Sequence, residues 1–502
     1  MLEFGTAGIR GVLGHLPNQL NENHVKRVVF GYAKYLLKQF PDVRQQGIVI
    51  ARDNRQKSLQ FANISARILA NFGIKVFIFK DICPTPIVSF AIKQLKAYGG
   101  IMITASHNPA EYNGIKIYNK LGFQILPDQI AKITNFFENY QKFTTKNISS
   151  KALAFSRKIV KVDYLIDNYI NQLLELIPFK SSQSQNYIYS PLHGTGGQVV
   201  KKIAQKIKLN LMFVEKQMAK STKFHFASSP NPEDKKAFEL MRKQMEEENL
   251  QYGFVSDPDS DRLGIVEKIG NQFYYFNGNE MATLIVDFLI KQNYLNNNSQ
   301  LITSFVSSSL PTLIAKSIGC QTEIIPTGFK WVANKILSKP SSTSFAFEES
   351  YGSMIFPQLS LDKDALQIIV FFWKMFSEKP ISLVEQLEKI YEKYGFPTSV
   401  VHSLTFNDEQ FSHLNEYLEQ FSKLKFDYPI AQIIDYRLGF EDIHPENMIK
   451  IIFENNSWVA MRPSGTEPKL KIYVFSIDVD KNQSKIINQS ILTKVKSIFK
   501  NE

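Results

Sequence analysis

With 502 residues, the chain exceeds what one hydrophobic core organises, and a usual domain size of about 100–200 residues predicts three or four domains. Hydrophobic residues make up 44% and charged residues 21%, with no long polar or low-complexity tract, which excludes extended disorder. The net charge of +12, from 59 basic and 47 acidic residues, is diffuse and forms no basic block, so it gives no ground for a nucleic-acid partner and suits small anionic ligands.

Along the chain, the apolar run 48–51 predicts a buried strand, followed by a polar turn, a helical pattern through Ile64 and Leu69, and a second buried strand at 76–79. This is alternating α/β grammar. A third apolar strand, 99–103, runs straight into the polar turn Thr104-Ala105-Ser106-His107-Asn108-Pro109. The same grammar returns at 187–189, where a strand meets Pro191-Leu192-His193-Gly194-Thr195-Gly196 ahead of a helix from Val199, and again near 301–306. Three such units predict three related α/β domains with mixed sheets, and the strands and helices after about Phe396 predict a C-terminal α+β domain. Breaker-rich stretches at 144–150, 181–186, 296–300 and 338–344 are expected to be loops or linkers. The expected domains are 1–150, 151–270, 271–392 and 393–502.

Cys83 and Cys320 stand far apart in no metal-like spacing, so neither a zinc site nor a disulfide framework is expected, and a reducing cytoplasm suits them. No run approaches the roughly 18 apolar residues of a membrane span, and the first residues lack the order of a cleavable leader. No heptad run or isolated apolar helix face stands out, which makes a monomer the expectation.

Three motifs carry chemistry. The turn after 99–103 presents Ser106 at a strand end; it is not a nucleophile elbow, because Thr104 and Asn108 stand where that turn requires glycines. Alone, such a turn is more often a capping and turn device than a nucleophile, and its neighbours must decide. Asp257-Pro258-Asp259-Ser260-Asp261-Arg262 offers alternate carboxylates to one hard cation. An EF-hand is excluded, since Arg262 and Lys268 occupy the places of its glycine and final glutamate; all-oxygen donors favour Mg²⁺, with a solvated loop as the alternative. In Arg462-Pro463-Ser464-Gly465-Thr466-Glu467-Pro468-Lys469 a guanidinium, two hydroxyls and glycine-loosened N–H groups suit a phosphate dianion, with an ordinary turn as the alternative. A phosphate grip, a hard cation and an exposed serine are together what phosphoryl transfer needs.

With these residues in view, the chain resembles the α-D-phosphohexomutases, especially the phosphoglucomutase/phosphomannomutase branch that includes phosphopentomutase-like members. The likeness rests on Gly5-Thr6-Ala7-Gly8-Ile9-Arg10-Gly11, the serine turn with Tyr112-Asn113-Gly114-Ile115-Lys116 behind it, the Asp257–Arg262 loop, Thr327-Gly328-Phe329-Lys330, Phe347-Glu348-Glu349-Ser350-Tyr351-Gly352 and the 462–469 loop. It implies three α/β domains and an α+β lid around a central cleft. Ser106, carried as phosphoserine, would be the nucleophile, with His107, Lys116 and Arg10 in the catalytic group and Lys116 as a proton carrier. Asp257, Asp259, Asp261 and the phosphoserine would hold one Mg²⁺ per chain. Glu348 and Ser350 would take sugar hydroxyls; Arg262, Thr327, Gly328 and Lys330 would line the cleft; Arg462, Ser464, Gly465 and Thr466 would grip the substrate's phosphate.

The implied reaction interconverts hexose 1- and 6-phosphates, glucose or mannose, through a bisphosphorylated sugar that also serves as activator. A phosphopentomutase, a phosphoserine-intermediate phosphatase and a non-catalytic sugar-phosphate-binding protein are the rival readings. Two departures from the wider family, Phe347 and the Ala365 after Asp362-Lys363-Asp364, are expected to bear on which sugar is accepted. The branch usually carries a longer segment before its first motif, which here starts at Gly5, so that segment is expected to be missing or to lie upstream.

Overall fold

The computed structural model describes residues 4–5, 8–137, 158–179, 187–338, 344–378, 382–407, 413–440, 445–463 and 469–499. The chain divides into two compact units, one of Met1–Gly278 with Gly328–Pro380 and the other of Asn279–Thr327 with Ile381–Glu502.

In the first unit, β1 (Ile9–Val12), β2 (Ile48–Arg52), β3 (Val76–Ile78), β4 (Gly99–Ile103), β5 (Tyr112–Asn119) and β6 (Ile159–Lys161) form one sheet ordered β1-β5-β4-β2-β3-β6. It is mixed: β2 is parallel to β3 and β4, while β5 is antiparallel to β4 and β1. β2 is a continuous apolar run because both its faces are covered. Ile48 and Ile50 join the core made with helices Glu22–Gln39 and Ser58–Asn71, and the alternate residues Val49 and Ala51 are equally buried on the other face. β6 pairs with β3, so chain beyond residue 150 completes this first sheet.

The second sheet, from β7 (Tyr187–Ser190), β8 (Leu211–Phe213), β9 (Tyr252–Ser256), β10 (Leu263–Ile269) and β11 (Gln272–Phe276), runs β11-β10-β9-β7-β8. Its β10-β9-β7-β8 repeats β5-β4-β2-β3 of the first, with one antiparallel pair followed by two parallel ones. The relatedness expected from the α/β grammar is therefore visible as shared topology. Further along the first unit β14 (Ser344–Glu348) is antiparallel to β15 (Gly352–Met354), and in the second unit β12 (Gln300–Ser304) is parallel to β13 (Gln321–Ile325). In the helix Ala365–Glu378 of the first unit, Phe376 lies 5.5 Å from the Tyr187 ring and 4.4 Å from that of Tyr252, with Trp373 edge-on to Phe254.

In the second unit, β16 (Phe396–Thr405), β17 (Ile430–Asp435), β18 (Ile449–Phe453), β19 (Trp458–Pro463) and β20 (Lys469–Asp478) make an antiparallel sheet ordered β16-β20-β19-β18-β17. Helices Leu414–Ser422 and Lys481–Lys496 pack their apolar residues into one core with this sheet, and β16 alternates exposed and part-buried residues, the signature of a sheet covered on one side. This is the α+β domain expected after Phe396. Of the expected loops, 296–300 leads by a turn into β12, whereas 144–150, 181–186 and 339–343 lie outside the described residues.

Among the described residues no helix is long and apolar enough to cross a membrane. Both cysteines are free and buried. Burial pushes the Cys320 thiol up to about 11 and the Cys83 thiol well above its ordinary value. Only about a thousandth of Cys320 is then thiolate near pH 8. Neither thiol is expected to react with a chromogenic disulfide reagent until the protein is denatured; one fast equivalent in native protein would contradict this burial.

Candidate active site

The fully buried β4 delivers the serine: the chain leaves the sheet at Thr104, and Ser106 adopts a left-handed backbone with φ of 52°. A residue with a Cβ holds that conformation at a cost of roughly 1 kcal/mol or more, so something must hold it. The Thr104 hydroxyl accepts from the Ser106 N–H at 2.9 Å. The Arg55 guanidinium donates to the carbonyls of Ser106 (2.6 Å), Asn108 (2.5 Å), Pro109 (2.6 Å) and Tyr112 (3.0 Å). Arg55 is itself paired with buried Asp53 at 3.1 Å, and Asp53 also accepts from the Arg55 N–H and the Ser58 hydroxyl. Arg10 Nη1 donates to Asn108 Oδ1 at 2.9 Å. So held, Ser106 Oγ donates to Asp257 Oδ2 at 2.8 Å, with His107 Nδ1 3.4 Å away. Burial, then the charges of Arg262 and Arg10, push the His107 pKa well below its ordinary value, so its imidazole is neutral at neutral pH.

The carboxylates follow β9, at the carboxyl end of the second sheet, where open α/β sheets present ligand sites. Asp257, Asp259 and Asp261 are all buried, and one oxygen of each lies within 4.8 Å of the others. Asp257 Oδ1 accepts from the N–H groups of Asp261 (3.0 Å) and Arg262 (3.1 Å), which closes the loop on itself. Lys116, on β5, donates to Oδ2 of Asp259 (2.7 Å) and of Asp261 (2.9 Å), and the Thr85 hydroxyl adds a bond to Asp259 Oδ2 at 2.7 Å. Burial alone would lower the Lys116 pKa, but Asp259 and Asp261 outweigh it and raise it, so the side chain is a fixed ammonium. Burial and the two neighbouring carboxylates raise the Asp257 pKa well above the ordinary carboxylate value. Asp259 Oδ1 and Asp261 Oδ1 are buried without a hydrogen-bond partner. Like charges this close, with orphaned oxygens and no nitrogen or sulfur donor, fit a hard divalent cation.

Around this centre, Arg262 Nη1 reaches Glu233 Oε1 at 2.6 Å. Glu348 ends β14 and accepts from the Gly328 N–H at 2.6 Å; burial raises its pKa. Ser350 is half-buried in the turn between β14 and β15, and Lys330 is buried in the first turn of the helix Phe329–Ser338, 5.8 Å from the Trp331 ring.

Sequence reasoning passed over two groups. Arg55 sits in what was read only as a polar turn after β2; Asp53-Asn54-Arg55 at the carboxyl end of a fully buried strand was the available signal. Lys363, read only as part of a family variation, places Nζ 3.7 Å from Asp261 Oδ2. Its flanking acids anchor it: Asp362 accepts from the Tyr118 hydroxyl and Asp364 from that of Tyr169, each at 2.6 Å. Thr327 belongs to the second unit, as does Arg462 at the end of β19, 3.8 Å from Glu446, and Ser464, Gly465 and Thr466 lie outside the described residues.

Four family models match consecutive stretches: phosphoglucomutase/phosphomannomutase alpha/beta/alpha domains I, II and III at residues 1–144, 167–270 and 277–394, and the C-terminal domain at 382–481. The chain belongs to the phosphoglucomutase/phosphomannomutase family. A phosphoglucomutase of Staphylococcus saprophyticus is 33% identical over 510 residues, covering 96% of this chain and 91% of that one. Two solved structures share the fold. A phosphoglucomutase/phosphomannomutase family protein from Burkholderia thailandensis matches with a TM-score of 0.77 at 17% identity, over 100% of this chain and 99% of its own. The N-acetylphosphoglucosamine mutase of Aspergillus fumigatus, solved in complex with GlcNAc-6P and magnesium, matches with a TM-score of 0.57 at 12% identity, over 99% and 96%. This phosphohexomutase-type chain is therefore an enzyme, an isomerase, and its acidic triad could hold a metal ion.

Proposed function

We propose that the enzyme interconverts hexose 1-phosphate and 6-phosphate, with glucose as the first candidate and mannose as the second, through phospho-Ser106 and a bisphosphorylated sugar. The observation that carries this reading is the 2.8 Å bond between Ser106 Oγ and Asp257 in a buried nest of carboxylates and cations. The relative named phosphoglucomutase, similar over nearly the full length of both chains, supports the choice of glucose.

Ser106 would give its phosphoryl group to the free hydroxyl of the bound sugar phosphate, and the bisphosphate would then turn over and return its other phosphoryl group to Ser106. A sugar bisphosphate supplied as activator would charge a free serine in the same way. One Mg²⁺ per chain, held by Asp257, Asp259, Asp261 and a phosphoserine oxygen, would neutralise charge that builds on the phosphoryl oxygens. Lys116, Arg10 and Arg262 would add fixed positive charge, and as an ammonium Lys116 suits that work better than proton transfer at neutral pH. His107, neutral and 3.4 Å from Oγ, would accept a hydrogen bond at the reacting centre and, with its pKa held low by burial and by Arg262 and Arg10, would not take up the proton. Glu348 and Ser350 would orient sugar hydroxyls beside Thr327, Gly328 and Lys330, while Arg462, Ser464, Gly465 and Thr466 would hold the phosphate not being transferred. Small sugar phosphates would be the only partners of a cytoplasmic monomer.

Phosphorus NMR of glucose 1-phosphate with Mg²⁺ and a trace of glucose 1,6-bisphosphate tests this, and conversion to the 6-phosphate is expected. Free phosphate at the turnover rate would make the enzyme a phosphatase, and reaction of ribose 1-phosphate alone would make it a pentomutase. Asp261→Asn is expected to weaken Mg²⁺ binding by at least on the order of 100-fold, which is what loss of even an outer partner of a metal ligand can do. Calorimetric titration of metal-free protein reads this directly, and unchanged affinity would remove the cation from the triad.

A further inference from the structure

The Pro191-Leu192-His193-Gly194-Thr195-Gly196 turn, singled out in the sequence, has no part in the chemistry above, yet it touches both loops that have. It leaves β7 with two successive left-handed residues, Leu192 (φ 47°) and His193 (φ 63°), a conformation unfavourable for residues with side chains. The His193 imidazole is fixed in one tautomer: Nδ1 donates to the Ala219 carbonyl at 2.6 Å, and Nε2 accepts from the Phe226 N–H at 3.2 Å.

The two exits of this strained turn point at the two loops. On one side the Thr195 N–H donates to the Pro258 carbonyl at 2.9 Å, and the Thr195 hydroxyl is 3.0 Å from the Ser260 hydroxyl, so both non-carboxylate residues between the aspartates are held. A Cβ on Gly194 would fall 2.5 Å from Pro258 Cα and 2.6 Å from its carbonyl oxygen. Glycine is therefore required there by the closeness of the acidic loop. Ser260, the residue Thr195 touches, is itself left-handed, with φ of 59°. On the other side the His193 carbonyl accepts from Asn54 Nδ2 at 2.5 Å, and Asn54 adjoins Arg55, the clamp on the carbonyls of Ser106 and Asn108.

We propose that this turn is a positioning bracket: Thr195 sets the Asp257–Asp261 loop in its cation-binding shape, and the His193 carbonyl with Asn54 registers that loop against the serine loop. The inference rests on the reading that the triad binds a cation. Thr195 and Asn54 are positioning residues, which act through the aspartates and through Arg55.

The test is Mg²⁺ calorimetry and Mn²⁺ paramagnetic resonance on metal-free full-length protein, joined to steady-state kinetics. Thr195→Val removes the hydroxyl at constant shape and is expected to weaken cation binding about tenfold, in the range for removing an outer partner of a metal ligand. Thr195→Ser should restore it, and the KM for the sugar phosphate should not move in either. Asn54→Leu should leave cation affinity within about twofold while kcat falls about tenfold, because each loop keeps its own shape but loses its register. Should Thr195→Val fail to fold, Thr195→Ala serves for the same reading. Wild-type affinity in the valine variant, or failure of serine to rescue, overturns the bracket alone. A wild-type protein that binds no more cation than Asp259→Asn overturns the bracket and the metal reading together.

Discussion

Ser106→Ala is expected to reduce interconversion of hexose 1- and 6-phosphates by at least on the order of 10⁴-fold while leaving the fold intact. The size follows from the reaction: phosphate monoesters are among the slowest compounds to react in water, so no background route replaces a lost nucleophile. Intactness follows from the geometry, because the bonds that shape the turn run from the Ser106 N–H to Thr104 and from Arg55 to the Ser106 carbonyl, and neither uses the side chain. The variant should therefore keep its melting temperature within a few degrees, yet take up no label from a bisphosphate labelled in both phosphoryl groups, whereas wild type takes up one equivalent. Activity that survives in the alanine variant would mean the phosphoryl group travels without Ser106.

The largest loss of stability is expected at a residue that touches no substrate. Arg55 is buried, paired with an equally buried Asp53, and bonded to backbone carbonyls along the whole serine turn. Arg55→Met removes those donors at similar volume and leaves the Asp53 carboxylate without its cation, a change that costs about 3–5 kcal/mol when a buried ion pair is broken from one side. Chemical denaturation should show a lower midpoint with an unchanged slope. Asp53→Asn in the same chain should recover part of the loss, because no uncompensated charge is then left inside; strictly additive losses would show that the two side chains do not work as a pair. Activity should fall further than stability explains, since Ser106 no longer has a reason to stay left-handed.

The sequence was most informative where a local pattern favours one physical solution. The apolar run 48–51 reads as a buried strand, the turn after 99–103 presents Ser106 at a strand end or else serves as a cap, and three aspartates at alternate positions suit one cation or else a solvated loop; the neighbouring motifs decided between these readings. Motif order carried the family and the four-part architecture in the same way. Which groups meet across long separations was not legible, because it depends on packing of elements far apart in the chain. Lys116 bridges Asp259 and Asp261 from 143 and 145 residues away, and Thr85 reaches Asp259 from 174. Arg55 and Thr195 look in sequence like ordinary turn residues, and only the tertiary structure makes one a clamp and the other a brace. A side chain's own neighbours along the chain set its local conformation; whether it then meets a carbonyl, a carboxylate or water is decided by burial, which no local pattern encodes.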